Sequence, residues 1–325
     1  MSSSTLPDAL ERAPLAYENS DYLNSPDGRV LRIMAEYSEP MARFRRERIQ
    51  DTVVFFGSAR FHALDVASEQ MQLLENTGSA AAAPEDEQPA GVDEIASGDA
   101  SELKLRRAEA AVEMARYYED ARTLARMLTE WSMNLPGKGK RHRFVVTSGG
   151  GPGIMEAANR GAHEAGGKTI GLNIRLPFEQ RPNQYITPEL NFEFHYFFMR
   201  KFWFAYLAKA LVVFPGGFGT LDEMFELLTL SQTHKLAKQM PIIIYGSEYW
   251  KGVINLDLLA EKGAIAVKDK ELFQFADTPE AAFKLLREGL EANFLTSQRH
   301  PENGASEHAP DAEALMGPDI AKTRR

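Results

Sequence analysis

The chain has no cysteine, which excludes disulfides, thiolate metal sites and cysteine nucleophiles. It also lacks an apolar run of the roughly 20 residues that a membrane-spanning helix needs. Its N-terminal residues lack the basic and apolar segments of a secretory signal. Excess positive charge is missing too, because 46 acidic residues outnumber 37 basic ones and the net charge is −9. We therefore expect a soluble cytoplasmic protein that binds neither nucleic acid nor membranes.

The length and composition suit a globular protein with flexible additions. With 325 residues and 44% hydrophobic content, the chain is long enough for one large domain or two small ones. Residues 1–50 are polar and proline-containing, and we expect an N-terminal extension that is partly helical. Residues 77–100 are rich in Ala, Pro, Asp, Glu and Gly, which indicates a flexible insertion. Residues 295–325 are polar and are expected to be a disordered tail, which leaves 51–294 as a single domain.

Short apolar segments alternate with helical patterns through this domain. The apolar segments are 52–56, 144–147, 168–172, 192–197, 210–214 and 241–245. The helical patterns are 70–75, 101–131, 154–165, 199–207, 220–235, 249–262 and 280–291, with a further one at 33–48 in the extension. Such alternation predicts an α/β fold, a Rossmann-like doubly wound parallel sheet with helices on both faces.

Two glycine-rich turns each follow an apolar strand and precede a helix. The first glycine turn is Ser148–Gly153, with Gly149, Gly150 and Gly151, and the second is Pro215–Gly219, with Gly216, Gly217 and Gly219. Both are expected at the carboxyl ends of strands, where α/β proteins bind ligands. Glycines let a ligand approach the main chain, and helix N-termini suit phosphate. Such turns also serve tight packing alone, and neither matches the P-loop or a full dinucleotide motif.

The residues after the second turn allow two interpretations. Thr220 and Glu223 have the Thr-x-x-Glu spacing of a capping box, in which Thr220 is the N-cap and Glu223 reaches back to its amide. Local sequence alone favours this capping interpretation over a catalytic one. A carboxylate held in a cap is a poorer catalyst, so the two interpretations compete for Glu223.

The segment from Pro215 to Glu223 resembles the PGGxGTxxE signature of the LONELY GUY (LOG) family, whose members are often mislabelled lysine decarboxylase. Three further segments fall in the family's order. They are Gly57–Arg60 after the first strand, Ser148–Asn159, similar to the GGG-xxGxM segment, and Met199-Arg200-Lys201, similar to the Met-x-x-Arg-Lys element. The resemblance spans roughly residues 52 to 290, apart from the insertion. The extension and the insertion lie outside the short plant-type pattern, which indicates a longer bacterial branch.

The resemblance implies a Rossmann-like homodimer or larger homo-oligomer that cleaves the N-glycosidic bond of a nucleoside 5′-monophosphate. The substrate is a cytokinin riboside monophosphate, AMP or both, and the longer chain shifts the expectation toward AMP. Arg200 and Glu223 carry over as the catalytic pair, and no cofactor is implied. The candidate phosphate and substrate contacts are Gly216, Gly217, Gly219, Thr220, Gly149, Gly150, Gly151, Met199, Ser58 and Arg60.

Several roles stay open at this point. Glu223 would stabilise a ribosyl cation or orient a water molecule, and Arg200 would orient Glu223 or bind substrate oxygens. Arg60 is equally well explained as a solvated surface arginine. Lys201 is expected to face away from Arg200 and to be solvated. The aromatic residues between 192 and 206 are expected in the core or an interface rather than stacked on a purine.

Other classes of protein compete with the hydrolase. A nucleotide-binding or carrier protein could use the same scaffold. The decarboxylase label requires a pyridoxal-bearing lysine, and no lysine lies in either glycine turn. A regulatory enzyme whose extension and insertion sense another ligand is a third possibility. The histidines at 62, 142, 163, 195 and 234 show no metal-ligand spacing, so we expect no metal.

Overall fold

The computed structural model describes residues 12–77, 97–136, 141–176, 181–233, 235 and 240–295. Within these residues, seven strands form one parallel sheet. The strands are β1 (Thr52–Phe56), β2 (Val145–Ser148), β3 (Thr169–Ile174), β4 (Asn191–Phe194), β5 (Ala208–Val213), β6 (Ile242–Tyr245) and β7 (Gln274–Ala276).

Helices connect the strands and cover both faces of the sheet. They are α1 (Ser20–Asn24), α2 (Arg29–Arg46), α3 (Leu64–Thr77), α4 (Ser97–Met133), α5 (Ile154–Glu164), α6 (Phe197–Tyr206), α7 (Phe218–Gln232), α8 (Ser247–Val253), α9 (Leu256–Glu261) and α10 (Pro279–Leu290). Short 3-10 turns occupy Pro188–Leu190 and Val267–Leu272, and a π-helical turn occupies Glu291–Leu295.

The strand order is β4-β3-β2-β1-β5-β6-β7. The chain builds one half of the sheet from β1 outward to β4, then returns to the other side of β1 with β5 and builds the second half. The strand order therefore reverses between β1 and β5, where doubly wound proteins bind ligands at the carboxyl ends of the strands. The predicted fold class is confirmed.

The two faces of the central strand enter two separate cores, because successive side chains of a strand point to opposite sides. Val54 and Phe56 pack in the core beneath α2, α6 and α7. Val53 and Phe55 pack in the core beneath α4, α5 and α10. All four side chains are buried. Burial on both faces explains why β1 is apolar throughout instead of alternating with polar residues.

The extension is tied to the domain through a proline inside α2. Pro40 has no N–H, so the carbonyl of Glu36 loses its usual helical donor. The indole Nε1 of Trp203 in α6 donates to this carbonyl instead, at 2.9 Å. The Glu36 carboxylate accepts a further hydrogen bond from the backbone N–H of His195, at 2.7 Å. Helix α2 therefore packs against α6.

The differences from the predicted elements fall mostly at helix ends. The helix predicted over 70–75 runs over Leu64–Thr77, and the one predicted over 101–131 begins at Ser97. The strand predicted over 192–197 ends at Phe194, because Phe197 already begins α6. The helix predicted over 249–262 is divided into α8 and α9, since Asn255 caps the second with a side-chain bond to the Leu258 N–H.

Strand β7 was not predicted, because three residues are too few to give a periodic signal. Of the predicted insertion, residues 78–96 lie outside the described residues, as does the predicted tail from residue 296 onward. None of the helices in the described ranges is long and apolar enough to cross a membrane.

Candidate functional site

The loop after β1 lies between the two glycine turns and joins them. The backbone N–H of Ser58 donates to the carbonyl of Pro215 at 3.0 Å. The carbonyl of Ser58 accepts from the Ile154 N–H, also at 3.0 Å. Because β1 lies between β2 and β5 in the sheet, the three loops meet at one edge. The predicted turns are therefore neighbours in space.

The first glycine turn is closed by protein atoms. A Cβ at Gly149 would lie 2.6 Å from Arg200 Nη2, and one at Gly150 would overlap the side chain of Asn173. Gly150 and Gly153 have φ of +77° and +69°, which other residues rarely adopt. Packing and backbone conformation thus account for Gly149, Gly150 and Gly153 without a ligand.

A buried polar network holds the first turn in place. The hydroxyl of Ser148 donates to Asn159 Oδ1 at 2.6 Å, and its oxygen accepts from the Gly150 N–H at 3.1 Å. The amide of Asn183 donates to the carbonyls of Gly150 and Gly151, both at 3.1 Å. Asn183 was not predicted, because it lies in a loop far along the chain with no motif around it. The network makes this turn a rigid wall of the site.

The second glycine turn is open at Gly217 and Gly219, whereas Gly216 is packed against Thr220. A Cβ at Gly217 or Gly219 would meet no atom within 4 Å. Gly217 is the N-cap of α7 and has an extended backbone, with φ −94° and ψ −151°. Within the described residues, no side chain caps this helix. Its first N–H groups therefore face open space, which is the arrangement that binds anions at a helix N-terminus.

The capping interpretation of Thr220 and Glu223 is wrong. Helix α7 begins at Phe218, because the carbonyl of Gly217 already accepts the first helical bond, from the Leu221 N–H at 3.0 Å. Thr220 is thus inside the helix, where its buried side chain packs against Gly216. Glu223 lies one turn further along and is not engaged in a cap.

Glu223 is a buried carboxylate with no hydrogen-bonding partner among the described residues. The residue is only 7% exposed, and its carboxylate forms no hydrogen bond or ion pair within the described part of the chain. Burial raises the pKa of Glu223 to about 7, against the opposing charges of Lys201 and Arg200. A carboxylate with a pKa near neutrality is suited to proton transfer.

Arg200 brings a cation to the same place from α6. Its Nε donates to the carbonyl of Leu172 at 2.8 Å, and its guanidinium lies 5.1 Å from the ring centre of Phe204. Burial lowers the pKa of Arg200, and the charge of Glu223 raises it. Among the described residues, Arg200 and Glu223 form no direct ion pair, and the terminal nitrogens of Arg200 donate to no protein oxygen. These nitrogens are therefore placed to bind a ligand.

The remaining predicted contacts differ in accessibility. Met199 is buried in the core under α6. The hydroxyl oxygen of Ser58 accepts from the Arg60 N–H at 3.1 Å, and the Arg60 side chain is exposed. The aromatic residues Phe197 and Phe198 are about half exposed, whereas the buried ones between 192 and 206 are Phe192, Phe194, Tyr196, Trp203 and Phe204.

Two further side chains at the site were missed. The hydroxyl of Tyr249 in α8 donates to the Gly216 carbonyl at 3.0 Å and so supports the second turn. Lys201 was expected to be solvated, and that expectation is wrong. Its Nζ lies 2.7 Å from the carboxylates of both Asp222 and Glu226. Neither contact could be predicted from the sequence, because each joins two elements that are distant in the chain.

The fold and the site define a Rossmann-like α/β protein with an open helix N-terminus beside a buried carboxylate. Residues 155–286 match a family model described as "Possible lysine decarboxylase". This match covers Arg200, the second glycine turn and Glu223. The resemblance to the LONELY GUY family is confirmed.

Two curated relatives are each similar over slightly less than half of the chain. Cytokinin riboside 5′-monophosphate phosphoribohydrolase LOG3 of Arabidopsis thaliana is 27% identical over 151 residues, which cover 46% of this chain and 68% of that protein. The probable phosphoribohydrolase LOG6 of the same plant is 26% identical over 144 residues, covering 44% and 71%.

Two solved structures show a weaker likeness. The molybdenum cofactor binding protein of Rippkaea orientalis has a TM-score of 0.37 and 18% identity, covering 53% of this chain and 86% of that one. The Moco carrier protein of Chlamydomonas reinhardtii has a TM-score of 0.37 and 20% identity, covering 55% and 89%. The fold assignment rests on the sheet topology of the chain itself.

Proposed function

We propose that this protein hydrolyses the N-glycosidic bond of a nucleoside 5′-monophosphate, AMP or a cytokinin riboside monophosphate, to the free base and ribose 5-phosphate. The observation that carries the proposal is the pairing of two features on α7. Within the described residues, an open N-terminus without a side-chain cap, which suits a phosphate, precedes a buried carboxylate without a hydrogen bond by about one and a half helical turns. The similar plant proteins are named as cytokinin riboside 5′-monophosphate phosphoribohydrolases, which supports the same reaction.

The 5′-phosphate binds at the second glycine turn. The N–H groups at the start of α7 point at its oxygens, and the positive end of the helix dipole favours its charge. The open space above Gly217 and Gly219 gives the phosphate direct access to the main chain. A nucleoside without the phosphate loses these contacts, so adenosine is a poor substrate.

Glu223 acts on the water molecule that attacks the ribose. The bond between C1′ and the base nitrogen breaks, its electron pair leaves with the base, and positive charge develops on the ribose. The oxygen of the water forms a bond to C1′ and gives its proton to the Glu223 carboxylate. The leaving base takes up a proton from solvent and Glu223 returns its proton to solvent, so one water molecule is added overall. The pKa of Glu223, raised by burial to about 7, suits this transfer at neutral pH.

Arg200 binds substrate oxygens and does not orient Glu223 directly. Its Nε is occupied by the Leu172 carbonyl, which fixes the plane of the guanidinium. Its Nη2 lies against the rigid first glycine turn, so the free nitrogens are held at a fixed position near Glu223. A planar guanidinium with free donors suits a ribose or phosphate oxygen.

A substrate panel tests the proposal. The protein is incubated separately with AMP, other nucleoside monophosphates, isopentenyladenosine monophosphate and adenosine, and released base is measured by chromatography. We expect base from at least one monophosphate and little from adenosine. Bound but intact nucleotide would favour a carrier, which uses the same phosphate site without cleavage. Release from adenosine at the same rate as from AMP would contradict the role of the second glycine turn.

The decarboxylase label predicts a different outcome. A Schiff base with pyridoxal phosphate needs a lysine that loses its proton readily. Lys201 is the lysine beside Glu223, and although burial lowers its pKa, the bonds to Asp222 and Glu226 outweigh this effect and raise the pKa. An aldimine absorbance band after incubation with pyridoxal phosphate, together with carbon dioxide release from lysine, would favour the decarboxylase over the proposed hydrolase.

A further inference from the structure

Two adjacent cations of α6 diverge to opposite sides of the site. Neighbouring positions of a helix differ by about 100° in direction, and the direct contacts of Arg200 and Lys201 accordingly differ. Arg200 points toward β3 and the first glycine turn. Lys201 points toward α7, where its Nζ lies 2.7 Å from Asp222 and 2.7 Å from Glu226. Glu223 therefore has one cation on the ligand side and the other on the α7 side.

The two partners of Lys201 flank Glu223 in the helix. Asp222 precedes Glu223 by one residue, and Glu226 follows it by three, on the next turn. One ammonium thus joins two turns of α7 to α6. The side chain of Lys201 is only 20% exposed, so water screens it less than it screens a surface lysine. We name these three residues, Lys201, Asp222 and Glu226, the ion cluster.

We propose that Lys201 is a positioning residue: through the ion cluster it fixes the start of α7 against α6 and keeps Glu223 available as a carboxylate beside Arg200. The inference rests on the proposed function and adds a residue to it. Without Lys201, three carboxylates would lie within about one turn of α7, with Arg200 as the remaining cation facing them.

The charges that face Glu223 determine the direction of the expected change. From α6, Lys201 and Arg200 lower the pKa of Glu223, whereas burial raises it most and Glu226 and Asp222 of α7 raise it further. Removing the Lys201 charge therefore raises the pKa, and removing the Glu226 charge lowers it. An opposite charge close to a carboxylate typically shifts its pKa by about one to three units.

The test measures the titration of Glu223 directly. Glutamate side chains are labelled with carbon-13 and titrated by NMR in the absence of substrate, with the Glu223 signal assigned by its loss in Glu223→Gln. We expect the Glu223 pKa to rise by about one unit in Lys201→Met and to fall in Glu226→Gln. Lys201→Arg keeps the charge, so its pKa should stay close to that of the wild type.

The pH profile of the reaction gives a second readout. In Lys201→Met, kcat/KM for the cleaved monophosphate should fall about fivefold at pH 7 and recover by pH 9, as expected for a shift of about one unit. Lys168→Met is the matched control. It removes another partly buried ion pair, between Lys168 Nζ and Glu47 at 2.8 Å, which is remote from the site. This control should leave the profile in place.

The outcomes separate the two proposals. An unchanged Glu223 titration in Lys201→Met and in Glu226→Gln would overturn the role of Lys201, even if the protein cleaves AMP. A wild type that cleaves no monophosphate would overturn the proposed function, and the titration would still decide on Lys201. If Lys201→Met does not fold, Glu226→Gln and Lys201→Arg carry the test. In that case an unshifted Glu223 pKa in Glu226→Gln overturns the role of Lys201.

Discussion

At the scale of single residues, Glu223 shows what a motif predicts and what it leaves undetermined. The signature identified Glu223, and the four residues from Thr220 to Glu223 also suggested a capping box. Only the position of the helix start, at Phe218, frees the carboxylate from that role. Burial against distant segments raises its pKa, and the charges of Lys201 and Arg200 on α6 oppose this rise. None of these causes is visible in the local sequence.

The raised pKa makes Glu223 a cost to stability at neutral and alkaline pH. Between the ordinary glutamate pKa and about 7, the folded protein holds a proton that the unfolded chain has released. Stability therefore falls as pH rises through this window and stays lower above it. Glu223→Gln removes the cost. We expect this variant to be more stable than the wild type at pH 8, by roughly 1–3 kcal/mol, and equal to it near pH 4.

Urea unfolding of both proteins at pH 4, 6 and 8 measures this difference. Glu261→Gln, at an exposed position of α9, is the control and should show no pH-dependent gain. A Glu223→Gln variant that is less stable than the wild type at pH 8 would mean that the carboxylate stabilises the fold, and would remove the basis for its catalytic assignment.

At the scale of elements, two turns of similar sequence have different roles. Protein atoms crowd Gly149 and Gly150, whereas nothing lies above Gly217 and Gly219. The sequence predicted both turns and their strand ends. It could not separate packing from ligand approach, because the crowding atoms belong to Arg200 and to Asn173, which are remote in the chain.

Gly219→Ala tests the open turn. Gly219 lies in the first turn of α7, its φ is not positive, and a methyl group there meets no protein atom. Alanine should therefore stabilise the protein by about 0.5–1 kcal/mol through lower entropy of the unfolded chain. The same methyl group occupies the space of the phosphate, so KM for AMP should rise about tenfold or more.

Gly252→Ala is the matched control. Gly252 lies in α8, also with no atom within 4 Å of an added Cβ, and away from the second glycine turn. This variant should gain similar stability with KM unchanged. Thermal unfolding measures the gain in stability of both variants, and steady-state kinetics measure their KM for AMP. An unchanged KM in Gly219→Ala would show that the phosphate does not approach α7 at this point.

At the scale of the whole molecule, the alternation of strands and helices was enough to predict the parallel sheet. The alternation predicted a doubly wound sheet but not the particular order of its strands, and the sequence did not predict β7. The packing of α2 on α6 depends on Pro40 and on the Trp203 indole bond to Glu36, a contact that no periodicity reveals. The dimer or larger assembly, the cytoplasmic location and the domain limits stay predictions.

The sheet topology brings α6 and α7 together, since the loops of β1, β2 and β5 meet at one edge. Arg200 and Glu223 come from these two helices and lie close enough for each to shift the pKa of the other. We propose that the convergence of Arg200 and Glu223 beside an open helix N-terminus serves catalysis and not stability.

The most direct test is the rate of adenine release from AMP by the wild type, Arg200→Ala and Glu223→Gln, with circular dichroism to verify that each protein is folded. We expect kcat to fall at least about a hundredfold in each variant, the range found when a general base or a charged transition-state contact is removed. Folded variants that both release adenine at close to the wild-type rate would contradict the account.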